Sequence, residues 1–268
     1  MSSVKSQEPA VSTPSSRFRG ERRGVDPVGN VVILAAGQGI RLRKNSQDYL
    51  KPLYPVNGHP LIVYVMESFA VLGIKHFTVV VGFEKDEMVA GLKRHTPRGY
   101  HLEIVENNRW DLSNGISLLA AKEAVKERFF LSMSDHLFQP AIPYALHNGA
   151  HDRESLYLAV DKKIKRIFDL DDATKVKSRE GRIVDIGKTI PEYDAVDTGL
   201  FICPPGIFEA LEGAQVRGDC SLSDGVRAMA ERGQARTVDI GGAFWQDVDT
   251  PEMLNYAQSW LNVHQLHE

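Results

Sequence analysis

Short apolar runs alternate with helix-like segments through the first half of the chain. Three runs have the length and composition of buried parallel strands: Val31–Ala35, Phe77–Val81 and Phe129–Met133. A further segment with strand character is His101–Glu106. The segments with helical spacing are Pro60–Leu72, Glu84–Arg94 and Gly115–Lys126. Alternation of this kind favours a parallel sheet that carries helices on both of its faces.

The second half of the chain is less regular. Its strand-like segments are Leu156–Asp161, Arg182–Ile186, Thr198–Cys203 and Arg236–Asp239. Its helix-like segments are Ser223–Arg232 and Pro251–Val263. We therefore predict an α/β protein with a Rossmann-like, mostly parallel mixed sheet and helices on both faces. We expect residues 30–268 to form a single domain.

Residues 1–29 differ in composition from the rest. They are rich in Ser, Pro and Arg, and Phe18 is their only aromatic residue. Such a segment buries too little apolar surface to offset the entropy lost on ordering, so we predict a disordered tail. The alternative is an arm that binds a partner through its arginines, which are Arg17, Arg19, Arg22 and Arg23.

Charge and composition exclude several classes of protein. The chain has 32 Lys and Arg residues against 35 Asp and Glu residues, for a formal net charge of −3, whereas nucleic-acid binders are typically basic. Two cysteines, Cys203 and Cys220, are too few for a disulfide scaffold or a cysteine-based metal site. No apolar run approaches the roughly 20 residues of a bilayer span, and the first thirty residues lack an apolar core segment. We expect a cytoplasmic protein without a nucleic-acid partner or stable membrane insertion.

Two glycines, Gly37 and Gly39, follow the first predicted strand. Glycines at this place let the backbone approach a ligand closely and direct amide groups at phosphate oxygens. A dinucleotide fingerprint would require a third glycine where Leu42 stands, and a Walker loop would require a Gly-Lys-Ser/Thr sequence that does not follow. Arg41 and Lys51 add two cations, which suits a triphosphate. The loop therefore predicts a nucleotide site, and the alternative is a tight turn with surface cations.

Two acidic positions complete the pattern. Asp135 lies directly beyond the predicted strand that ends at residue 133, at the sheet edge where open α/β sheets bind ligands. A turn or a helix cap would also explain it. Of the acidic cluster before the last predicted helix, Asp249 or Thr250 is expected to cap that helix, which leaves Asp247 free to face the site. Two carboxylates together with substrate phosphates form an environment typical of Mg²⁺.

Three further polar residues stand at element ends. Asn114 and Ser117 open a predicted helix, where amides and side chains face an anion or the edge of a base. An asparagine helix cap explains Asn114 equally well. Lys188 follows a predicted strand, where it is placed either to hold a second substrate's phosphate or simply to face solvent.

The motif LAAGxGxRL at residues 34–42, with KPL at residues 51–53, resembles the opening motif of nucleotidyltransferases that make nucleoside-diphosphate sugars and polyols. Leu50 stands where that family often has proline. Further motifs follow in order: NGISLL at 114–119, FLSMSDH at 130–136, ATK at 173–175, IGK at 186–188, VDTG at 196–199 and DVDT at 247–250. Over about residues 30–260 the chain is similar to the CTP:inositol-1-phosphate cytidylyltransferases, which implies the nucleotide-diphospho-sugar transferase fold.

The resemblance also implies a reaction and a set of roles. The reaction is Mg²⁺-dependent transfer of a cytidylyl group from CTP to inositol 1-phosphate, with release of pyrophosphate. The implied catalytic residues are Arg41, Lys51 and Asp135. The implied nucleotide-binding residues are Ala35, Ala36, Gly37, Gly39, Arg41, Gly82, Asn114 and Ser117. The implied acceptor-binding residues are Lys188, Asp197 and Thr198. The implied metal ligands are Asp135 and Asp247, with Asp249 as the alternative to Asp247.

Base and acceptor are the parts that the resemblance fixes least. Phosphocholine, a phosphonate or a sugar 1-phosphate is an alternative acceptor, and the nucleotide is open as well. A catalytically silent, nucleotide-sensing regulatory subunit is the alternative from another class, although retention of all four catalytic and metal-binding side chains disfavours it.

Members of the resembled family are often fused to a membrane synthase that consumes CDP-inositol. We expect such a CDP-alcohol phosphotransferase to be a separate chain here, and the oligomeric state stays open.

Overall fold

The computed structural model of the protein describes residues 28–43 and 49–264. The strands β1 to β13, in chain order, are Asn30–Ala35, Pro55–Val56, His59–Pro60, His76–Val81, His101–Glu106, Phe129–Met133, His136–Phe138, Leu156–Asp161, Lys175–Arg179, Arg182–Gly187, Ala195–Cys203, Ala235–Asp239 and Trp245–Asp247. The helices α1 to α8 are Ile40–Arg43, Leu61–Ser68, Lys85–His95, Asn114–Ala120, Ala141–Gly149, Gly206–Ala214, Leu222–Glu231 and Pro251–His264. Most of the predicted tail lies outside the described residues, and Val28 near its end is buried in the core.

Within the described residues, nine strands form one mixed sheet in the order β5-β4-β1-β6-β11-β8-β12-β10-β9. Neighbours from β5 to β6 are parallel, whereas β11 runs antiparallel to both β6 and β8. Strand β12 is parallel to β8 and antiparallel to β10, and β10 is antiparallel to β9. All strands of this sheet except β10 and β11 therefore point the same way. The predicted mostly parallel mixed sheet is confirmed.

Successive side chains of β1 enter two different cores, because strand side chains alternate between the faces of a sheet. Val32 and Leu34 pack in an apolar cluster with α4, α6 and α7. Val31 and Ile33 pack in a second cluster with α2, α3 and α5. Helices thus cover both faces, as predicted. Among the described helices, none combines the length and apolar character that crossing a bilayer would require.

Several element boundaries differ from the predictions. Helix α2 ends at Ser68, and a 3₁₀ turn over Ala70–Leu72 follows before Gly73 stops it at a φ of +72°. Helix α4 ends at Ala120 rather than at residue 126 because the next amides bond three residues back, a tightening typical of helix ends. Helix α5 was not predicted, since Pro143 interrupts its pattern. That proline lies in the first turn, where no intrahelical N–H bond is needed.

Chain connectivity determines where a ligand can bind. From β1 the chain continues to β4 on one side, and β6 lies on the other side of β1. A crevice forms beyond the carboxyl ends of strands at such a switch point. Strand β13 pairs with β7 so that Asp247 lies opposite His136, and the amide of Val248 donates to the carbonyl of Asp135 at 2.9 Å. This pairing brings two distant acidic segments together at the crevice.

Candidate active site

A cavity of about 730 Å³ opens at the carboxyl ends of β1 and β6. Most of the residues predicted from the sequence line it: Ala35, Ala36, Gly37, Gly39, Arg41, Lys51, Asn114, Ser117, Asp135, Lys188, Asp197 and Asp247. Gly82 and Thr198 do not line it. The cavity is also lined by residues for which no role was predicted, among them Asp169, Asp172, His136 and Trp245, and by Asp249, the predicted alternative to Asp247 as second metal ligand.

The loop after β1 has one glycine that its geometry requires. Gly39 has a φ of +60°, and a Cβ atom there would lie 2.6 Å from the Cβ of Lys51. A side chain at Gly37 would meet nothing within 4 Å. Gly39 therefore allows the backbone of the loop to lie against the stem of Lys51, whereas Gly37 leaves open space on the cavity side.

Lys51 is held between two carboxylates inside the cavity. It is only 8% exposed, and its Nζ donates to Oδ2 of Asp135 at 2.5 Å and to Asp249. Burial lowers the pKa of Lys51, but the two carboxylates raise it, and the net direction is upward. Burial likewise raises the pKa of Asp135, whereas Lys51 and His136 lower it, and the net direction is downward. Both partners therefore stay charged at neutral pH.

Arg41 forms a second ionic cluster at the mouth of the cavity. Its guanidinium pairs with Asp249, with Asp172 at 2.8 Å and with Asp169 at 3.9 Å. Asp172 also accepts from Lys188 at 2.5 Å. The segment between β8 and β9 thus contributes the carboxylates of Asp169 and Asp172. Asp172 pairs both with Arg41, predicted to bind the nucleotide, and with Lys188, predicted to bind the acceptor. No sequence signal pointed to these two carboxylates, because they lie in an irregular loop whose conformation brings them to the site.

The residues of the acidic cluster before α8 have roles that differ in part from those predicted. Thr250 caps the helix, since its Oγ1 accepts the amide of Met253 at 3.3 Å. Asp249, which the sequence analysis treated as a possible cap, instead contacts Lys51 and Arg41. Asp247 lines the cavity as predicted, and its carboxylate accepts a hydrogen bond from the side-chain amide of Gln246 at 2.9 Å. Both aspartates therefore face the site.

The donor set of the cavity fits a magnesium ion shared with substrate. Burial raises the pKa of Asp247, and the nearby Asp249 and Asp135 carboxylates raise it further, against a lowering by His136. A divalent cation would relieve this crowding of negative charge. Across residues 28–43 and 49–264, no group of three or more His, Cys, Asp or Glu side chains forms a metal site by itself. Mg²⁺ typically binds through one or two carboxylates and completes its shell with phosphate oxygens and water.

Asp197 and Thr198, the two predicted acceptor residues of β11, have different positions. The Asp197 carboxylate lines the cavity and accepts the amide of Gly199 at 2.7 Å, and burial raises its pKa to about 6. Thr198 is buried, and its hydroxyl donates to the carbonyl of Ala159 at 2.8 Å. Adjacent strand residues face opposite sides of a sheet, so Thr198 points away from the acceptor. The prediction that it binds the acceptor is corrected accordingly.

Gly82 lies behind the cavity wall. A Cβ atom there would be 2.4 Å from the Cβ of Trp110 and 3.0 Å from that of Ala36, two residues that line the cavity. The glycine therefore lets the wall residues pack closely and does not itself reach the cavity. Its predicted contact with the nucleotide stays a prediction.

Helix α4 brings two predicted nucleotide residues to the cavity. The Oδ1 atom of Asn114 accepts the amide of Leu222 at 2.8 Å, which leaves its amide nitrogen available. The hydroxyl of Ser117 accepts from Asn107 at 3.0 Å and retains its own proton to donate. Both side chains thus present donors at the end of the cavity near α7.

A family model for the MobA-like NTP transferase domain matches residues 31–234. Among curated proteins, the bifunctional IPC transferase and DIPP synthase of Aquifex aeolicus is 34% identical over 239 residues, covering 87% of this chain and 52% of that protein. The protein of the same name from Archaeoglobus fulgidus is 34% identical over 233 residues, covering 86% of this chain and 43% of that protein. The chain thus spans about half the length of the curated relatives it matches.

Solved structures share the fold. The inositol-1-phosphate CTP transferase from T. maritima superposes with a TM-score of 0.79 at 30% identity, covering 90% of this chain and 98% of that chain. An apo UDP-glucose pyrophosphorylase superposes with a TM-score of 0.71 at 17% identity, covering 89% of this chain and 100% of that chain, and shows the fold alone. The predicted nucleotide-diphospho-sugar transferase fold is confirmed.

Proposed function

The chain belongs to the family of MobA-like NTP transferases, and from that premise we propose that it transfers a cytidylyl group from CTP to inositol 1-phosphate, giving CDP-inositol and pyrophosphate. The observation that carries the proposal is the buried Lys51, held between Asp135 and Asp249 beside the glycine loop. A cation in that position is placed to meet the phosphate at which the two substrates react. The likeness to the T. maritima structure supports the choice of CTP and inositol 1-phosphate.

The chemistry requires positioning and charge neutralisation. An oxygen of the phosphate monoester attacks the α-phosphorus of CTP, the bond between α-phosphorus and bridging oxygen breaks, and the electron pair leaves with pyrophosphate. The attacking oxygen is already anionic at neutral pH, so no general base is needed. What the protein contributes is in-line alignment of two anions and donors aimed at the developing charge.

The cavity residues divide this work between them. The loop that contains Gly37 and Gly39 directs its backbone at the triphosphate, as glycine-rich loops do. Arg41, half exposed at the mouth, stabilises charge on the leaving pyrophosphate. Lys51 bridges the α-phosphate and the incoming oxygen, exchanging its contact with Asp135 for contacts with phosphate oxygens and keeping its contact with Asp249.

Asp135 and Asp247 would hold the magnesium ion, and Asp249 would keep Lys51 and Arg41 in place. When bound, the ion screens the repulsion between the two substrates and helps to align them. Separate Asp→Asn substitutions at the three positions test this division. We expect the variants at 135 and 247 to require more Mg²⁺ for half-maximal rate. We expect the variant at 249 to have a lower turnover at saturating Mg²⁺. If instead the Asp249 variant needed the most Mg²⁺ of the three, Asp249 rather than Asp247 would be the second metal ligand.

We assign the acceptor substrate and the cytosine base of CTP to different residues of the cavity lining. Lys188, paired with Asp172, is placed to receive the phosphate of inositol 1-phosphate. The Asp197 carboxylate is an acceptor for a polyol hydroxyl. Asn114 and Ser117 supply polar groups for the cytosine end of CTP. We propose that the product passes to a CDP-alcohol phosphotransferase in phospholipid synthesis; the curated relatives combine an IPC transferase with a DIPP synthase by name, which supports a second enzyme that acts after this one.

Pyrophosphate release with Mg²⁺ tests the proposal across CTP, UTP, dTTP, ATP and GTP, each combined with inositol 1-phosphate, glucose 1-phosphate or phosphocholine. We expect the highest kcat/KM with CTP and inositol 1-phosphate. A different preferred pair would retain the mechanism and replace the substrates. A folded protein that binds a nucleotide but releases no pyrophosphate with any pair would favour a regulatory subunit.

A further inference from the structure

His136, the first residue of β7, directly follows Asp135 and contacts its carboxylate. Its Nδ1 atom is 2.6 Å from Oδ1 of Asp135, while Oδ2 of the same carboxylate accepts from Lys51 at 2.5 Å. An ionised carboxylate only accepts hydrogen bonds, so the imidazole carries its proton on Nδ1 and donates it. The two oxygens of Asp135 are thus held from two directions, which fixes the plane of the carboxylate.

The imidazole ring of His136 is packed on two sides. Trp245 stacks on it with ring centroids 5.9 Å apart and planes 12° from parallel, and the indole nitrogen of Trp245 donates to the buried Asp161 at 2.9 Å. On another side lies Gly199, where a Cβ atom would be 2.8 Å from the ring. The His136 side chain is only 15% exposed, and these neighbours hold the ring beside Asp135.

We propose that His136 is a positioning residue, which orients the Asp135 carboxylate toward Lys51 and the metal ion through the hydrogen bond from Nδ1. The inference rests on the proposed function, because it gives Asp135 its role. Hydrogen-bond partners that orient metal-binding carboxylates typically change metal affinity or activity by about 10- to 100-fold when they are lost. The stacking on Trp245 and the space beside Gly199 are the features that hold the imidazole in this role.

Two amide substitutions separate the hydrogen bond from the other properties of the side chain. In His136→Asn the amide nitrogen is attached to Cγ, as Nδ1 is, so a donor remains at the same place. In His136→Gln the amide lies one bond further out, near the former Nε2. We expect His136→Asn to stay within about threefold of the wild type, and His136→Gln to lose about 10- to 100-fold in kcat with KM values little changed.

Metal binding gives a readout that does not depend on turnover. Electron paramagnetic resonance of Mn²⁺, with CTP and without acceptor, measures the dissociation constant of the ion. We expect His136→Gln to raise that constant by about 10- to 100-fold and His136→Asn to leave it nearly unchanged. His136→Ala, which lacks a donor and adds no atoms, should behave like His136→Gln and serves if the latter does not fold.

Several outcomes would overturn the inference. Equal losses in His136→Asn and His136→Gln would mean that the ring matters and the Nδ1 donor does not. Wild-type kcat and Mn²⁺ affinity in both variants would mean that Asp135 is oriented without His136. Asp135→Asn is measured in parallel: its full activity would overturn the proposed site, whereas its inactivity beside a normal His136→Gln would overturn only the role of His136.

Discussion

Replacing Lys51 by methionine keeps most of the length of the side chain and removes its charge. Lys51 is 8% exposed, and its ammonium contacts the carboxylates of Asp135 and Asp249 where the two substrates would meet. Removing a preorganised charge contact to a transition state costs about 2–4 kcal/mol, which is roughly a 30- to 1000-fold loss of kcat/KM. We expect Lys51→Met to fall in that range, measured as pyrophosphate release at saturating Mg²⁺.

The same substitution should weaken the fold in a pH-dependent way. Breaking a buried ion pair costs about 3–5 kcal/mol, and we expect less here, about 2–3 kcal/mol, because the Asp135 side chain is 26% exposed. Lys51 helps to lower the pKa of Asp135, so the stabilisation is present above the unfolded value of about 3.9 and is lost as the pH falls below it. The variant should therefore be destabilised at neutral pH and approach the wild type in acid.

Lys177→Met serves as the control, because Lys177 pairs with the exposed Glu192 away from the cavity. It should leave turnover and unfolding nearly unchanged. A Lys51→Met protein that is as active as this control would refute the assignment of Lys51 to the reacting phosphate. A loss of stability without loss of turnover would make the lysine structural only.

Four further substitutions test individual positions. Asp197→Asn should stabilise the protein by up to about 3 kcal/mol near pH 8 but not near pH 4, because the raised pKa makes ionisation of the native carboxyl costly above its unfolded value. It should also raise KM for the acceptor. Gly39→Ala should cost about 1–3 kcal/mol of stability and weaken CTP binding, while Gly37→Ala, with open space at its Cβ, should be tolerated in thermal unfolding. Thr198→Val should cost about 1 kcal/mol of unfolding free energy and leave the KM for acceptor unchanged, whereas a raised KM would return this residue to the acceptor site.

The sheet was predictable where strands are continuous apolar runs. The bounds predicted for Phe129–Met133 and Leu156–Asp161 coincide with those of β6 and β8, because every residue of such a strand is buried or nearly so. Strands β7 and β13, with three residues each, carry no pattern of their own. They form because residues far apart in sequence pair with each other, and such pairing has no local signal.

The central site was predictable because its residues follow strand ends and recur in known motifs. Gly39, Lys51 and Asp135 come together as the motif order implied. The ionic contacts of Asp249 and Asp172 depend on loop conformations that no spacing encodes. The error at Thr198 had an available signal, since a strand that presents its neighbour Asp197 to the cavity turns the next residue away.

The proposed choice of CTP and inositol 1-phosphate as substrates is tested by identifying the product of one competitive reaction. The protein is given CTP, UTP, inositol 1-phosphate and glucose 1-phosphate at equal concentrations with Mg²⁺, and the mixture is followed by ³¹P NMR. We expect CDP-inositol and pyrophosphate to accumulate in equal amounts and to dominate the products. Accumulation of a UDP- or glucose-containing product instead, or no diphosphate product from folded protein, would contradict it.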